Sequence, residues 1–124
     1  MKFVVEGELP SLNEYIRVER GNKYAAAKVK KEWTEAVAWQ VKGIPQVKGP
    51  VMVKCSWYVK DKRKDPDNVS FGVKGLLDGL VLAGVLPDDG YEWIRGIGHW
   101  FFVDKERPRV EVELRDAMAN GKQQ

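Results

Sequence analysis

The chain has very little with which to bind a soft metal or to staple itself. Cys55 is its only cysteine and His99 its only histidine in 124 residues. An intrachain disulfide is therefore excluded, and so is a zinc site built from Cys and His ligands. A lone cysteine in an apolar alternating run reads as a small core residue and points to a reducing setting. The first residues lack the basic region and apolar run of a signal peptide. No apolar stretch approaches the ~20 residues that a membrane span needs. The expectation is a soluble, cytoplasmic protein without repeats or low-complexity segments.

What is present is a core and two basic stretches. Apolar residues make up 44% of the chain and include five Trp, enough for one compact domain but hardly for two. Charged residues reach 31%, yet the net charge is only +3. Its distribution says more than its sum. Arg17 to Lys31 holds six basic residues against Glu19, and Lys54 to Lys64 holds five against Asp61, so 11 of the 21 basic residues fall in two stretches. If they meet in space they form a positive patch for an anionic partner; if not, they are two solvated faces.

The hydrophobic pattern gives the order of elements. Lys2–Glu8 reads as a strand and Pro10–Asn22 as a loop. Ala25 to Val41 is expected to be helical, with Val29, Trp33, Ala36, Val37 and Val41 as its buried stripe. Gly43, Pro45 and Gly49–Pro50 break the chain. Val51–Val59 alternates as a half-buried strand, with Val51, Val53, Cys55, Trp57 and Val59 on one face. A second helix is expected from Asp65 to Ala83, stopped by Gly84. Ile94–Val103 and Arg109–Arg115 read as two strands paired in a hairpin. The expected fold is α+β: a single domain over residues 1–116, one mixed β-sheet with two packed helices, order β-α-β-α-β-β, then a polar, frayed tail over 117–124.

The informative stretch is Lys60-Asp-Lys-Arg-Lys-Asp-Pro-Asp-Asn68. Asp65 suits a helix N-cap, Pro66 the first helical position, and Asp67 the first turn, where the helix dipole favours an anion. Capping leaves Asp88 and Asp89 unexplained. They follow the same helix, and if the chain turns back at Pro87 either can approach Asp65 and Asp67. Mg²⁺ takes oxygen ligands, usually a few carboxylates plus substrate phosphate. Lys74, seven residues after Asp67 on a continuous helix, would share its face and lean toward an anion bound there; the alternative is an ion pair with Asp78. Carboxylates beside Lys62, Arg63 and Lys64 fit metal-assisted hydrolysis of a polyanion.

These residues resemble a known family. Asp65-Pro-Asp-Asn68, Lys74, Leu77-Asp-Gly-Leu80, Ala83-Gly-Val85 and Asp88-Asp89 are similar to the RusA family of Holliday-junction resolvases. The early segment Pro10-Ser-Leu-Asn-Glu-Tyr-Ile-Arg17 resembles that family's N-terminal pattern. The likeness runs from Pro10 to about Val112. Lys74 departs from it, standing three residues further from the second aspartate, with the extra residues near Ser70–Gly72. The resemblance implies a homodimeric, Mg²⁺-dependent endodeoxyribonuclease (Mn²⁺ often substituting) selective for four-way DNA junctions, of a kind typical of phages. It implies Asp65, Asp67 and Asp89 as metal ligands and Lys74 as a further catalytic group. Two rivals are a junction-binding module that does not cleave, its aspartates serving as caps, and a nuclease for other branched or single-stranded nucleic acids.

The remaining candidates are contacts. Arg17, Arg20 and Lys23, with Lys62, Arg63 and Lys64, are expected to bind phosphate without reading sequence. Tyr15 and Tyr24 flank the first of these groups. Trp93 and Trp100 are expected in the core or a dimer interface, with base stacking as the alternative. His99 reads as a packing residue rather than a general base.

Overall fold

A computed structural model describes residues 1–117. Its elements are β1 (Lys2–Glu6), α1 (Leu12–Glu19), α2 (Lys23–Gln40), β2 (Val51–Val59), α3 (Pro66–Ser70), α4 (Val73–Leu82), β3 (Ile94–Val103) and β4 (Arg109–Asp116). The domain is α+β, with helices occupying both expected places in the order β-α-β-α-β-β. None of its helices is long and apolar enough to cross a membrane. Of the expected frayed tail over 117–124, only Ala117 lies within the described residues, and it is not frayed. Ala117 is buried, and its N–H donates to Pro50 O at 2.9 Å; residues 118–124 lie outside the described part.

The sheet order is β1-β4-β2-β3, which corrects the expected hairpin. β3 does not pair with β4. It runs parallel to β2, from Val51↔Ile94 to Val59↔Val103, while β4 lies antiparallel between β1 and β2. Asp104–Pro108 steps across the end of β2, where the Asp104 N–H donates to Val59 O at 2.8 Å. Alternation shows which face of a strand is buried but not which neighbour it takes. Here the partner is set by the core. Val110, Val112 and Leu114 stand opposite Trp57, Cys55 and Val53, and all six are buried. A parallel β2–β3 pair then requires a long crossover, which α3 and α4 supply.

Two further expectations change. The loop at Pro10–Asn22 contains α1. Ser11 caps it, its Oγ accepting from the Glu14 N–H while Glu14 Oε1 accepts from the Ser11 N–H, a reciprocal capping box. The second helix is interrupted at Phe71–Gly72. Gly72 is buried against Trp57, where a Cβ would lie 3.0 Å from the indole. On α2, Val37 and Val41 are buried as expected, but Ala36 is exposed and Ala26 takes a core position instead.

The core lies between the sheet and the pair α2–α4, around Leu76, Leu80, Val37 and Val41. Gly79 permits their approach, since a Cβ there would come 2.5 Å from Val37 Cβ. Gly79→Ala is therefore expected to cost about 1–3 kcal/mol through overpacking, even though alanine is the better helix former. Chemical denaturation measures it, and an unchanged midpoint would show that the helices have room to part.

Candidate active site

The acidic segment is built at the end of β2. Asp61 Oδ1 accepts from the Arg63 N–H at 3.0 Å and turns the chain. Asp65 is extended (φ −68, ψ 156) in the N-cap position of α3, with Pro66 in the first turn. The expected cap location is right, but the side chain is not used: Asp65 makes no capping hydrogen bond. Its backbone O accepts from the Val69 N–H at 3.0 Å, so the helix starts without the carboxylate. Asp65, Asp67 and Asp89 are exposed and have no side-chain hydrogen bond or ion pair among the described residues. Side-chain capping therefore explains neither Asp65 nor Asp89, while Asp67 stands in the first turn of α3 as expected.

α1 braces this segment from the side. The Asn13 N–H donates to Asn68 Oδ1 at 3.1 Å, Lys64 Nζ donates to Glu14 Oε1 at 2.9 Å, and the Tyr15 and Phe71 rings meet at 5.1 Å between centroids. Lys64, Asn68 and Phe71 flank the two aspartates in sequence, so three contacts from one helix hold both shoulders of the acidic segment. Burial works against the charge on Glu14, but the bonds from Lys64 and Ser11 outweigh it and hold the carboxyl below its ordinary range. The signal for this brace was in the sequence, as Ser11-Leu-Asn-Glu14.

The third aspartate stands elsewhere. α4 ends at Leu82, and just beyond it the positive φ of 81 at Gly84 lets the Val85 N–H return to Leu80 O at 2.9 Å. Val85 and Leu86 are fully buried and anchor the turn, leaving Pro87, Asp88 and Asp89 outside. Asp89 shares a cleft with Ile94, Arg95, Gly96 and Ile97, the first half of β3. Asp65 shares another with Phe101, Phe102 and Val103, its last residues. At about 3.3 Å per residue a ten-residue strand separates its ends by roughly 30 Å. No group of three His, Cys, Asp or Glu close enough to hold a metal forms among the described residues of one chain.

Lys74 also sits differently from the continuous-helix expectation. With the break at Phe71–Gly72 it lies in the first turn of α4, 3.9 Å from Asp78. α1, which carries Arg17, holds Lys64 of the second basic stretch through Glu14. Arg17, Arg20, Lys23 and Lys62 are exposed and have no ion pair among the described residues. Arg63 stands 3.7 Å from Asp61, and Lys64 is held by Glu14. Lys54 is apart, in mid-β2 under Trp100.

The chain matches the family model described as Endodeoxyribonuclease RusA over residues 6–115. It belongs to the RusA endodeoxyribonuclease family. Members resolve Holliday junctions, act on branched DNA and generally depend on a divalent metal, and this chain is an endodeoxyribonuclease of that class. No curated protein matches it. The match covers every element seen here except β1, of which it includes only Glu6, and the last residue of β4.

His99 is a packing residue in this RusA chain. Trp57 Nε1–H donates to His99 Nδ1 at 2.9 Å, and the rings lie nearly parallel at 24°. This ties the edge strand to the tryptophan beneath the α3–α4 break. Burial lowers the His99 pKa below its ordinary value, which is about 6.5. A base with a depressed folded pKa stabilises the fold fully above its unfolded pKa and loses that contribution as pH falls through the folded one. The melting midpoint is thus expected to drop between about pH 7 and pH 5, and to drop less in His99→Gln, which keeps an acceptor without titrating. Parallel profiles would remove His99 from the acid sensitivity.

Proposed function

We propose that the chain is a Mg²⁺-dependent resolvase that nicks four-way DNA junctions, and that each active site is assembled from two copies of the chain. The observation that carries this reading is the placing of unpaired carboxylates beside opposite ends of one exposed edge strand. β3 has a sheet neighbour on one side only, and Ile97, Phe101 and Val103 are exposed along it, as are Trp100 and Phe102. A long apolar edge of this kind calls for a partner strand. Antiparallel pairing of two β3 strands about a two-fold axis near Gly98–His99 would set residues 94–97 of one protomer against 101–103 of its partner. The cleft holding Asp89 in one protomer would then adjoin the cleft holding Asp65 in the other. A two-fold dimer has two such sites, which suits paired nicks in two strands.

The donor set fits a hard cation. All three groups are carboxylates, none is committed elsewhere, and no soft ligand stands near them. Asp65 and Asp67 of one protomer, with Asp89 of the other, would hold Mg²⁺, with Mn²⁺ able to substitute. The bound ion supplies a water of lowered pKa and polarises the scissile phosphate. Lys74 adds positive charge where the phosphate develops negative charge. Asp88, next to Asp89, is left as a neighbour of the site. Arg17, Arg20, Lys23, Lys62, Arg63 and Lys64 grip the phosphates of the junction arms. The unused Asp65 cap weighs against a non-cleaving module whose aspartates only terminate helices.

Asp67→Asn and Asp89→Asn are each expected to abolish nicking of a labelled four-way junction while leaving junction binding intact. Mixing the two variants is the sharper test. Random reassortment makes half the dimers mixed, and each mixed dimer has one site with every carboxylate intact, so about a quarter of the wild-type sites return. Nicking of single strands should reappear without paired cleavage. A mixture as silent as its components would place all three carboxylates on one chain and sink the shared site.

A further inference from the structure

One cleft plays no part in holding the metal. It lies between α1, α2 and the start of α4 and encloses about 250 Å³. Its walls are the rings of Tyr15, Trp33 and Phe71. Lys30 Nζ stands 4.5 Å from the Tyr15 centroid, and Lys74 and Asp78 line the cleft beside Gly75. We propose that this cleft receives a single unstacked base of the bound DNA; the inference rests on the nuclease reading above and adds a base-binding subsite to it.

Gly75 is the observation that separates a subsite from loose packing. Glycine is the poorest helix former after proline, so a glycine inside α4 needs a reason. Gly79 has one in Val37, and Gly72 has one in Trp57. Gly75 has none of that kind: a Cβ placed on it meets no heavy atom within 4 Å. The missing side chain serves no packing contact, yet it keeps the cleft open.

The lining matches one chemistry. Three aromatic residues line it, Tyr15 and Phe71 packed together with Lys30 over Tyr15, and aromatic rings stack on any base. Lys30, ion-paired with Glu19, and Lys74, 3.9 Å from Asp78, both line the cleft and would exchange or share these partners with the phosphates on either side of an extruded nucleotide. Asp78 accepts from N–H groups on a base edge. The volume is below the roughly 300–1,000 Å³ usual for drug-sized ligands, which suits one planar base rather than a whole nucleotide. Lys74 lines this cleft and is also the lysine assigned to the scissile phosphate. The base would therefore belong to a nucleotide next to the nick.

The test uses the full chain and four-way junctions carrying an abasic analogue at each nucleotide within two of the nick. Affinity is measured with Ca²⁺ in place of Mg²⁺, so that binding is read without cleavage. One abasic position should weaken wild-type binding by about tenfold, the effect of one base–aromatic stack. Gly75→Leu, which fills the cleft, should weaken binding to the intact junction by a similar factor and show no further loss with the abasic one. Its melting midpoint should stay level or rise, which separates a blocked cleft from a damaged fold. Two results overturn the proposal: equal affinity for every abasic junction, or additive losses in Gly75→Leu, which would point to a different occupant such as a protein side chain. Absent nicking with Mg²⁺ would count against the catalytic reading alone, because the affinity series would still decide the subsite.

Discussion

The parallel pairing of β2 with β3 governs the arrangement of the functional residues. A parallel pair cannot be closed by a tight turn; the chain must leave the end of one strand and return to the start of the next. In this domain α3 and α4 make that return. Whatever precedes them lies at one end of the sheet and whatever follows them lies at the other. Asp65 and Asp67 precede them, and Asp89 follows. The separation of the acids is thus a consequence of topology rather than of a loop that might have folded otherwise. The same topology leaves β3 on the sheet edge with its apolar side chains uncovered. In the proposed dimer one contact answers both problems, since covering the edge also unites the acids.

Local pattern was a good guide where one face of an element meets the core. Val51–Val59 and Arg109–Asp116 were legible because their buried residues recur at every second position. The partner of each strand was not legible. Ile94–Val103 and Arg109–Arg115 are separated by a short connection that suits a hairpin, and nothing in that connection says that it passes over the end of a third strand. The break in the second helix has the same origin. Gly72 looks like any glycine in a helical run until Trp57, brought by β2, is seen beneath it. α1 is different, because its capping box was written in Ser11 and Glu14 and was obscured by the proline and polar residues around it.

The candidate site divides along the same line. The aspartates could be singled out from spacing and from their family likeness; that the Asp65 side chain does not cap its helix could not. Their distance from one another depends on topology and was out of reach. The basic loop was legible as charge but not as charge already spoken for. Lys60 lies against Glu8 and Lys64 against Glu14, so part of that cluster fixes the loop to the N-terminal segment before any DNA arrives.

This prior use of charge bears on how the acidic segment is held. In the proposed metal site the carboxylates of Asp65 and Asp67 have no hydrogen bond of their own among the described residues. Their position must then be set through neighbours. α1 does this from outside, with Asn13 on Asn68, Glu14 on Lys64 and Tyr15 on Phe71. Trp57 does it from beneath, packed under Gly72 and bonded to His99 on the edge strand. The edge strand that would recruit a second protomer is therefore linked through two aromatic residues to the helix break beside Asp67. In the proposed dimer, closing the β3 edge would act on both halves of a shared site: it would deliver the partner's Asp89, and through His99 and Trp57 it would fix the floor on which Asp65 and Asp67 stand.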